Sequence, residues 1–540
     1  MARLWQLREV APELELRWTE AGYWDDSTLG RMVADGLRDH PDQVVQIHSQ
    51  LRPWHGTFAD LDRLARRLAG GLRDRGIGPG DPVAFQLPNC MEAAVTFYAA
   101  SLLGAVVVPI VHFYGPKEVG YILRRTGVRA FVTIARFGPT DYLAGLERMR
   151  TDLAAVPVVA VADLDRPLDG IIPLAYLIEA DPVVEPVAVD PAEPALVAYT
   201  SGTTAEPKGV IHSHRTIGAE LRQLRSLRAH DSTPVLIGAP VGHFMGMLGA
   251  LLGTMLGGDP IHLVDVWEPG RLLALMLEYG LACGSGATFF LTSLLDHPDL
   301  TDEHLKLMHY LGMGGAAIPA AVAERATGLG LSIVRMYGST EHPSITGASH
   351  DDPLDKRLHT DGHALPGTDI RLVDEHGADV ATGEPGEILS RGPDCCMGYT
   401  DPALTAVAFD ADGWFHTEDV GVLDADGYLR ITDRKKDIII RGGENVSAAE
   451  VEEIIAQLPE VAEVAVVAAP DPRYGERVSA VIRLAPGATD PGLDRLRDAT
   501  AAAGLGRQKW PEELRVVDEF PRTASGKIQK AVLRAADWPR

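Results

Sequence analysis

The stretch Tyr199–His214 reads YTSGTTAEPKGVIHSH. Its first half is crowded with glycine and small hydroxylated residues, which are ordinary turn formers. The same composition suits a phosphate cradle. Backbone N–H groups and the hydroxyls of Thr200, Ser201, Thr203 and Thr204 would converge, around Gly202, with the ammonium of Lys208 on one anion. The flanking runs ALVAY and KGVIH read as strands. A Walker loop needs GxxxxGK[ST] opening into a helix, and this strand–loop–strand has neither the spacing nor the context. From this stretch alone, turn and cradle stand equally open.

Outward from the loop, β-branched runs alternate with helical stretches: DPVAFQLPN, MEAAVTFYAASLLG, AVVVPI, KEVGYILRRTG, VRAFVTI. That alternation predicts an α/β body with parallel or mixed sheets. After Asp419 the texture changes. GVLDADGYLRIT reads as a hairpin with a DG turn. AAEVEEIIAQL reads as a helix capped by Ser447, with Glu450 three residues on. The expected organisation is a large domain over 1–433 and a small α+β domain over 434–540, joined by a hinge.

Charge points the same way. From Arg434 onward lie 17 basic and 17 acidic residues, so the net charge of −25 belongs wholly to the preceding body. Such acidity argues against nucleic acid or anionic membrane as the main partner. The four cysteines show no CxxC spacing, and the N-terminus lacks a signal-peptide core, which together suggest a cytoplasmic setting. The uncharged run Ala93–Val111 is long enough to span a bilayer. Gly104 divides it, however, and it reads as a buried helix followed by a buried strand, so no integral membrane segment is expected.

Three further loops have chemical potential. RMYGSTEHPSIT, Arg335–Thr346, follows an apolar strand, and Glu341 beside Thr340 could hold a hard cation or simply cap a helix. In GWFHTEDVG, Asp419 follows an anchored Trp414–Phe415 pair and could bind ribose or cap a turn. In PRTASGKIQK, Lys527 is either a solvated lysine or a point charge for a phosphoryl transition state.

Taken in order, TSGTTxxPKG, YGxTE, W-F-x-T-x-D, DRxKD and PRTxSGK resemble the adenylate-forming superfamily of acyl-CoA synthetases, luciferases and peptide-synthetase adenylation domains. The resemblance spans roughly Leu29 to Arg534. It implies ATP, Mg²⁺ and coenzyme A as reactants, and it implies roles. The Tyr199–His214 loop would hold the outer phosphates. Gly314, Gly315, Ala316 and Ala317 would line the adenine pocket, with Tyr337 and Gly338 beside the base. Thr340 would contact the α-phosphate and Glu341 the magnesium, while Asp419 and Arg434 hold the ribose. Lys436 would be the hinge, and Lys527 would bridge carboxylate and α-phosphate during adenylation. Gly442, Gly443 and Glu444 would line the coenzyme A tunnel after the small domain turns. Two departures from the family pattern are Ala205 and Glu418, each standing where glycine is usual.

Relatives that activate amino acids carry an acid where this chain has APVGHFMGMLGALLG, Ala239–Gly253, with none. His243 matches the gate of acyl-CoA synthetases. Phe244, Met247, Ser285, Gly286, Ala287 and His342 are expected as acyl-pocket walls, and a bulky residue at Gly286 is expected to favour smaller acids. The expected activity is ligation of an apolar acid (medium- or long-chain fatty, alicyclic or steroid side-chain) to coenzyme A, with AMP and pyrophosphate released. The alternatives are a free-standing enzyme that loads a carrier protein and a non-catalytic nucleotide-binding regulator. A homo-oligomer is compatible with all three.

Overall fold

A computed structural model of the chain describes residues 4–200, 207–227, 233–315, 318–441, 444–523 and 526–535, with the side chains of Lys436 and Asn445 outside that description. Ser201, Gly202, Thr203, Thr204, Ala205, Ala316, Ala317, Gly442 and Gly443, all singled out above, therefore lie outside the described residues.

The largest sheet among the described residues runs, edge to edge, Lys208–Ser213, Pro194–Thr200, Val106–Ile110, Pro82–Gln86, Ala130–Thr133, Val158–Val161, Ile171–Pro173. Its interior pairings are parallel; only the Pro194–Thr200 and Lys208–Ser213 pair is antiparallel. Strands such as VVVPI are buried at every position, as expected for a sheet covered by helices on both faces. Met91–Leu102 is a buried helix, and Gly104 turns the chain at φ +65° into the strand Val106–Ile110. A Cβ on Gly104 would lie 2.6 Å from Val189 Cγ1, so this break in the apolar run requires glycine. No helix among the described residues is long and apolar enough to cross a membrane.

Three four-stranded sheets complete the body. One orders Leu236–Ile237, Ile261–Val264, Val44–His48 and Trp54–Thr57; a second, Tyr310–Gly314, Ser332–Tyr337, Thr346–Gly347 and His363–Ala364. The third is an antiparallel meander of Asp369–Val373, Gly386–Arg391, Phe415–Leu423 and Leu429–Arg434. Arg434 pairs with Asp419 in this meander, so the last strand of the large body runs through Arg434, one residue beyond the expected boundary at 433.

The C-terminal unit forms a separate sheet around Gly475–Leu484 and Val461–Asp471, with its own core of Ile439, Val451, Ile455, Val466, Ala480 and Leu496. Its first helix, Ala448–Ile455, starts where the sequence predicts, with Ser447 Oγ accepting from the Glu450 N–H at 3.0 Å. Between the two units lies a single 3₁₀ turn, Lys435–Asp437, which includes the backbone of Lys436.

Candidate active site

Strands of two different sheets deliver the first groups of the site. The strand Pro194–Thr200 delivers Thr200 opposite Lys208 in antiparallel register. Ser332–Tyr337 delivers Gly338 and the turn after it. There a Cβ on Gly338 would sit 1.8 Å from the Pro343 carbonyl oxygen, so only glycine permits the bend. Ser339 Oγ accepts from the N–H groups of Glu341 and His342 at 3.2 and 3.3 Å, which sets the direction of the Glu341 side chain.

Glu341 is held from two sides. Tyr399 donates its hydroxyl to Oε1 at 2.8 Å, and the Cys396 N–H reaches the Glu341 carbonyl at 2.7 Å. Burial first, and the Glu341 charge second, hold the Tyr399 phenol well above its ordinary range, so it remains a donor. Thr340 is fixed through its carbonyl, which accepts from His212 Nε2 at 2.7 Å. His212 is buried, its pKa is lowered by that burial to about 4, and its ring stacks on Phe244 at 4.9 Å.

At the other end, Tyr337 donates to Asp419 Oδ2 at 2.8 Å while Arg434 Nε meets Asp419 Oδ1 at 2.9 Å. Two sheets are joined by this triad, in which Tyr337 and Asp419 are buried and Arg434 is exposed. Beside it, Glu418 stands at φ +60°, a left-handed conformation costly for any residue with a Cβ. That is the physical reason glycine is usual there.

The loop of Lys527 comes from the small domain and lands on the large one. A Cβ on Gly315 would lie 3.7 Å from Lys527 Cε, and one on Gly526 would lie 3.7 Å from Phe289 Cβ and 3.8 Å from Ala287 Cβ. Arg522 stacks over Phe289 at 5.0 Å, and Thr523 N–H donates to the Lys527 carbonyl at 2.7 Å, closing the turn. His243 lies within reach of the same charge. Burial and then Lys527 lower its pKa to about 4, so its imidazole is neutral at pH 7. Glu444 lies away from these contacts, in a short strand paired with Arg441.

The acyl wall needs correction. His342 has no accessible surface; its Nε2 faces Asp394 Oδ1 at 3.1 Å and its Nδ1 lies 2.8 Å from Ser390 Oγ. It braces the turn from within and lines no pocket. Met247 is likewise wholly enclosed in the main core, and Phe244 is nearly so. The helical run Phe244–Gly257, π-helical over Leu248–Gly253, instead opens a different face. Met245 is 45% exposed, and a Cβ on Gly249 would meet nothing within 4 Å. Ser285 is exposed and Ala287 buried at the start of the helix Thr288–Leu295. Gly286 has φ +118° and a virtual Cβ 3.2 Å from Phe290, so a larger residue there meets strain before it can tune a pocket.

Sequence reasoning also missed Tyr399, His212 and Asp394. Tyr399 carried a local signal, the GY at the end of RGPDCCMGY, but nothing local tied it to Glu341.

A family model of AMP-binding enzymes matches residues 34–400, and one of the AMP-binding enzyme C-terminal domain matches residues 450–527. The chain is 33% identical over 523 residues to the medium-chain fatty-acid–CoA ligase of Escherichia coli K12, covering 96% of this chain and 92% of that one. It is 36% identical over 491 residues to the 3-[(3aS,4S,7aS)-7a-methyl-1,5-dioxo-octahydro-1H-inden-4-yl]propanoyl:CoA ligase of Rhodococcus jostii RHA1, covering 88% and 93%. Among solved structures, ATP-bound MatB from Rhodopseudomonas palustris superposes with a TM-score of 0.81 at 27% identity, covering 94% of this chain and 98% of that one.

Proposed function

The chain belongs to the AMP-binding, adenylate-forming enzymes and is a ligase that acts on a carboxylic acid, and from that premise we propose that it joins an apolar acid to coenzyme A. The observation that carries the reading is Lys527 resting on Gly315, just past the strand Tyr310–Gly314, which pairs with the strand Ser332–Tyr337 that leads into the turn of Thr340 and Glu341.

In the first half-reaction the acid's carboxylate attacks the α-phosphorus of ATP, forming the acyl–phosphate bond and breaking the bond to pyrophosphate. The Lys527 ammonium offsets the charge that develops between carboxylate and α-phosphate, in a site partly closed to water. Lys208, at the mouth of the Thr200–Lys208 hairpin, faces the outer phosphates. The carboxylate of Glu341 and the neighbouring hydroxyls form an all-oxygen donor set suited to the magnesium that accompanies ATP. The Tyr337–Asp419–Arg434 triad holds the nucleoside end.

His243, uncharged at neutral pH, stands where it can pack against an apolar chain without placing a charge near it. The acyl chain then runs along the face that carries Met245 and Gly249. No Asp, Glu, Lys or Arg occurs between Ala239 and Gly253, so a zwitterionic amino acid finds no partner for its amine there. The fatty and polycyclic acids named for the two relatives support an apolar substrate of medium size or larger.

For the second half-reaction the small domain, residues 435 onward, turns about Lys436. Lys527 withdraws, and the Gly442–Glu444 segment comes to the site, where the thiol of coenzyme A attacks the acyl carbonyl and AMP leaves. A panel of carboxylic acids scored for pyrophosphate release with and without coenzyme A tests the whole reading. Thioester formation with a medium or polycyclic apolar acid is expected. Thioester formation only with a carrier-bound thiol would move the acceptor to a carrier protein, and acetate or an amino acid as best substrate would overturn the pocket assignment.

A further inference from the structure

The geometry points to Tyr399 as a positioning residue of the MgATP site, one side chain that sets both the carboxylate of Glu341 and the ammonium of Lys208. This rests on the reading of Glu341 and Lys208 given above. The phenol donates to Glu341 Oε1 at 2.8 Å, and the face of its ring lies 5.9 Å from Lys208 Nζ, within the range of cation–π attraction.

The ring itself has little freedom. It is 4% exposed and packs with Val210 and Cys396. Its backbone is tied by an isolated bridge to Val210, by its N–H to Thr405 Oγ1 at 2.9 Å, and by neighbours on both sides to the strand Lys208–Ser213. Gly398 before it stands at φ +116°, with Thr405 atoms 2.8 Å from a virtual Cβ, so the approach to Tyr399 is built for that one path. A donor fixed this firmly pins Oε1 and turns Oε2 toward the space where the cation of the nucleotide would sit. The ring also keeps Lys208 on the phosphate side.

The bond is charge-assisted, a neutral hydroxyl donating to a carboxylate. Tyr399→Phe removes the hydroxyl and keeps the ring, so the effect belongs to the arm that reaches Glu341.

The test measures ATP binding by titration calorimetry without acid substrate, once with Mn²⁺ and once with EDTA. It is paired with the Mg²⁺ dependence of ATP–pyrophosphate exchange. In Tyr399→Phe the Mn²⁺-dependent gain in affinity is expected to fall about tenfold, the worth of one hydrogen bond to a charged group. Half-saturation by Mg²⁺ should rise in parallel, with metal-free ATP binding and the acid KM unchanged. An unchanged cation dependence overturns the assignment. So does equal weakening with and without metal, since that marks general loosening. Glu341→Gln, run alongside, reports on the premise: if it leaves the cation dependence intact, Glu341 is not the metal-facing acid, a failure separate from that of Tyr399. Should Tyr399→Phe lower the melting temperature, Lys208→Met is read in the same titrations. It is expected to weaken ATP binding with and without metal alike, and a purely metal-dependent loss would overturn the separation of the two arms.

Discussion

Lys527 of the small domain lies against Gly315 of the large one, its Cε 3.7 Å from the position a Cβ would take. Gly315 itself has φ +78°, a conformation that glycine adopts without cost. The contact joins a cation of the small domain to the residue that follows the strand Tyr310–Gly314, and on the proposed reading it belongs to the adenylating arrangement. A Cβ at Gly315 would meet the lysine at ordinary van der Waals distance, so the positive φ and not lack of space is what favours glycine there.

Lys527→Ala is therefore expected to reduce adenylate formation by roughly 10²–10³-fold, the scale for removing one group that stabilises developing charge. Thioester formation from a supplied acyl-adenylate should be largely spared. ATP–pyrophosphate exchange and single-turnover thioester formation, measured separately, give the two numbers. Equal losses in both would show that the lysine serves structure and not the first step.

Glu418 at φ +60° gives a stability prediction that needs no substrate. Glu418→Gly should raise the unfolding free energy by about 1 kcal/mol, the cost of a left-handed residue bearing a Cβ. Glu418→Val should lower it, because a β-branched residue tolerates that conformation least. Urea denaturation of the three proteins orders them Gly, Glu, Val; any other order removes backbone strain as the explanation.

Gly286 and Gly249 should respond oppositely to enlargement. Gly286→Ala forces a Cβ to within 3.2 Å of Phe290 at φ +118°, and about 1–3 kcal/mol of stability should be lost. Gly249→Leu enters open space on a helix and should fold normally, while shifting the kcat/KM ratio toward shorter acids by about tenfold. An unchanged chain-length profile in a stable Gly249→Leu enzyme would place the acyl chain elsewhere.

Buried imidazoles make the fold acid-sensitive. His48, His212 and His214 are each buried, and each has its pKa lowered to about 4, first by burial. Between pH 6.5 and 4 the unfolded chain binds more protons at these sites than the folded one, so stability is full above pH 6.5 and is lost as pH falls. Each proton taken up on unfolding contributes about 1.4 kcal/mol per pH unit. Other groups oppose this. Burial alone would lower His342, but Asp394 and Cys395 more than reverse it and leave the pKa raised, and burial raises Glu220, Asp361 and Asp433. Urea titrations at pH 7 and pH 5 should still show the protein weaker at pH 5. A flat or rising profile would mean that the three imidazoles are charged in the folded state.

What the sequence determined by itself was whatever depends on neighbours along the chain. Strand and helix identities followed from periodicity, the Ser447 cap from a side chain reaching the N–H three residues on, and the break at Gly104 from its lack of a Cβ. The order of the chemical loops was legible for the same reason. Tertiary structure alone decided what each loop residue touches. Glu341 finds Tyr399 across 58 positions, and Asp419 finds Tyr337 across 82, because the packing of separate sheets and loops, and not sequence proximity, brings those residues together. It also decided which way the helix after His243 faces. Phe244, Met245, Met247 and Gly249 are all apolar, so the pattern could not distinguish a core face from a pocket face. Packing against the main core settled it, enclosing Met247 and leaving Met245 and Gly249 open, since a helix turns each successive residue by about 100°.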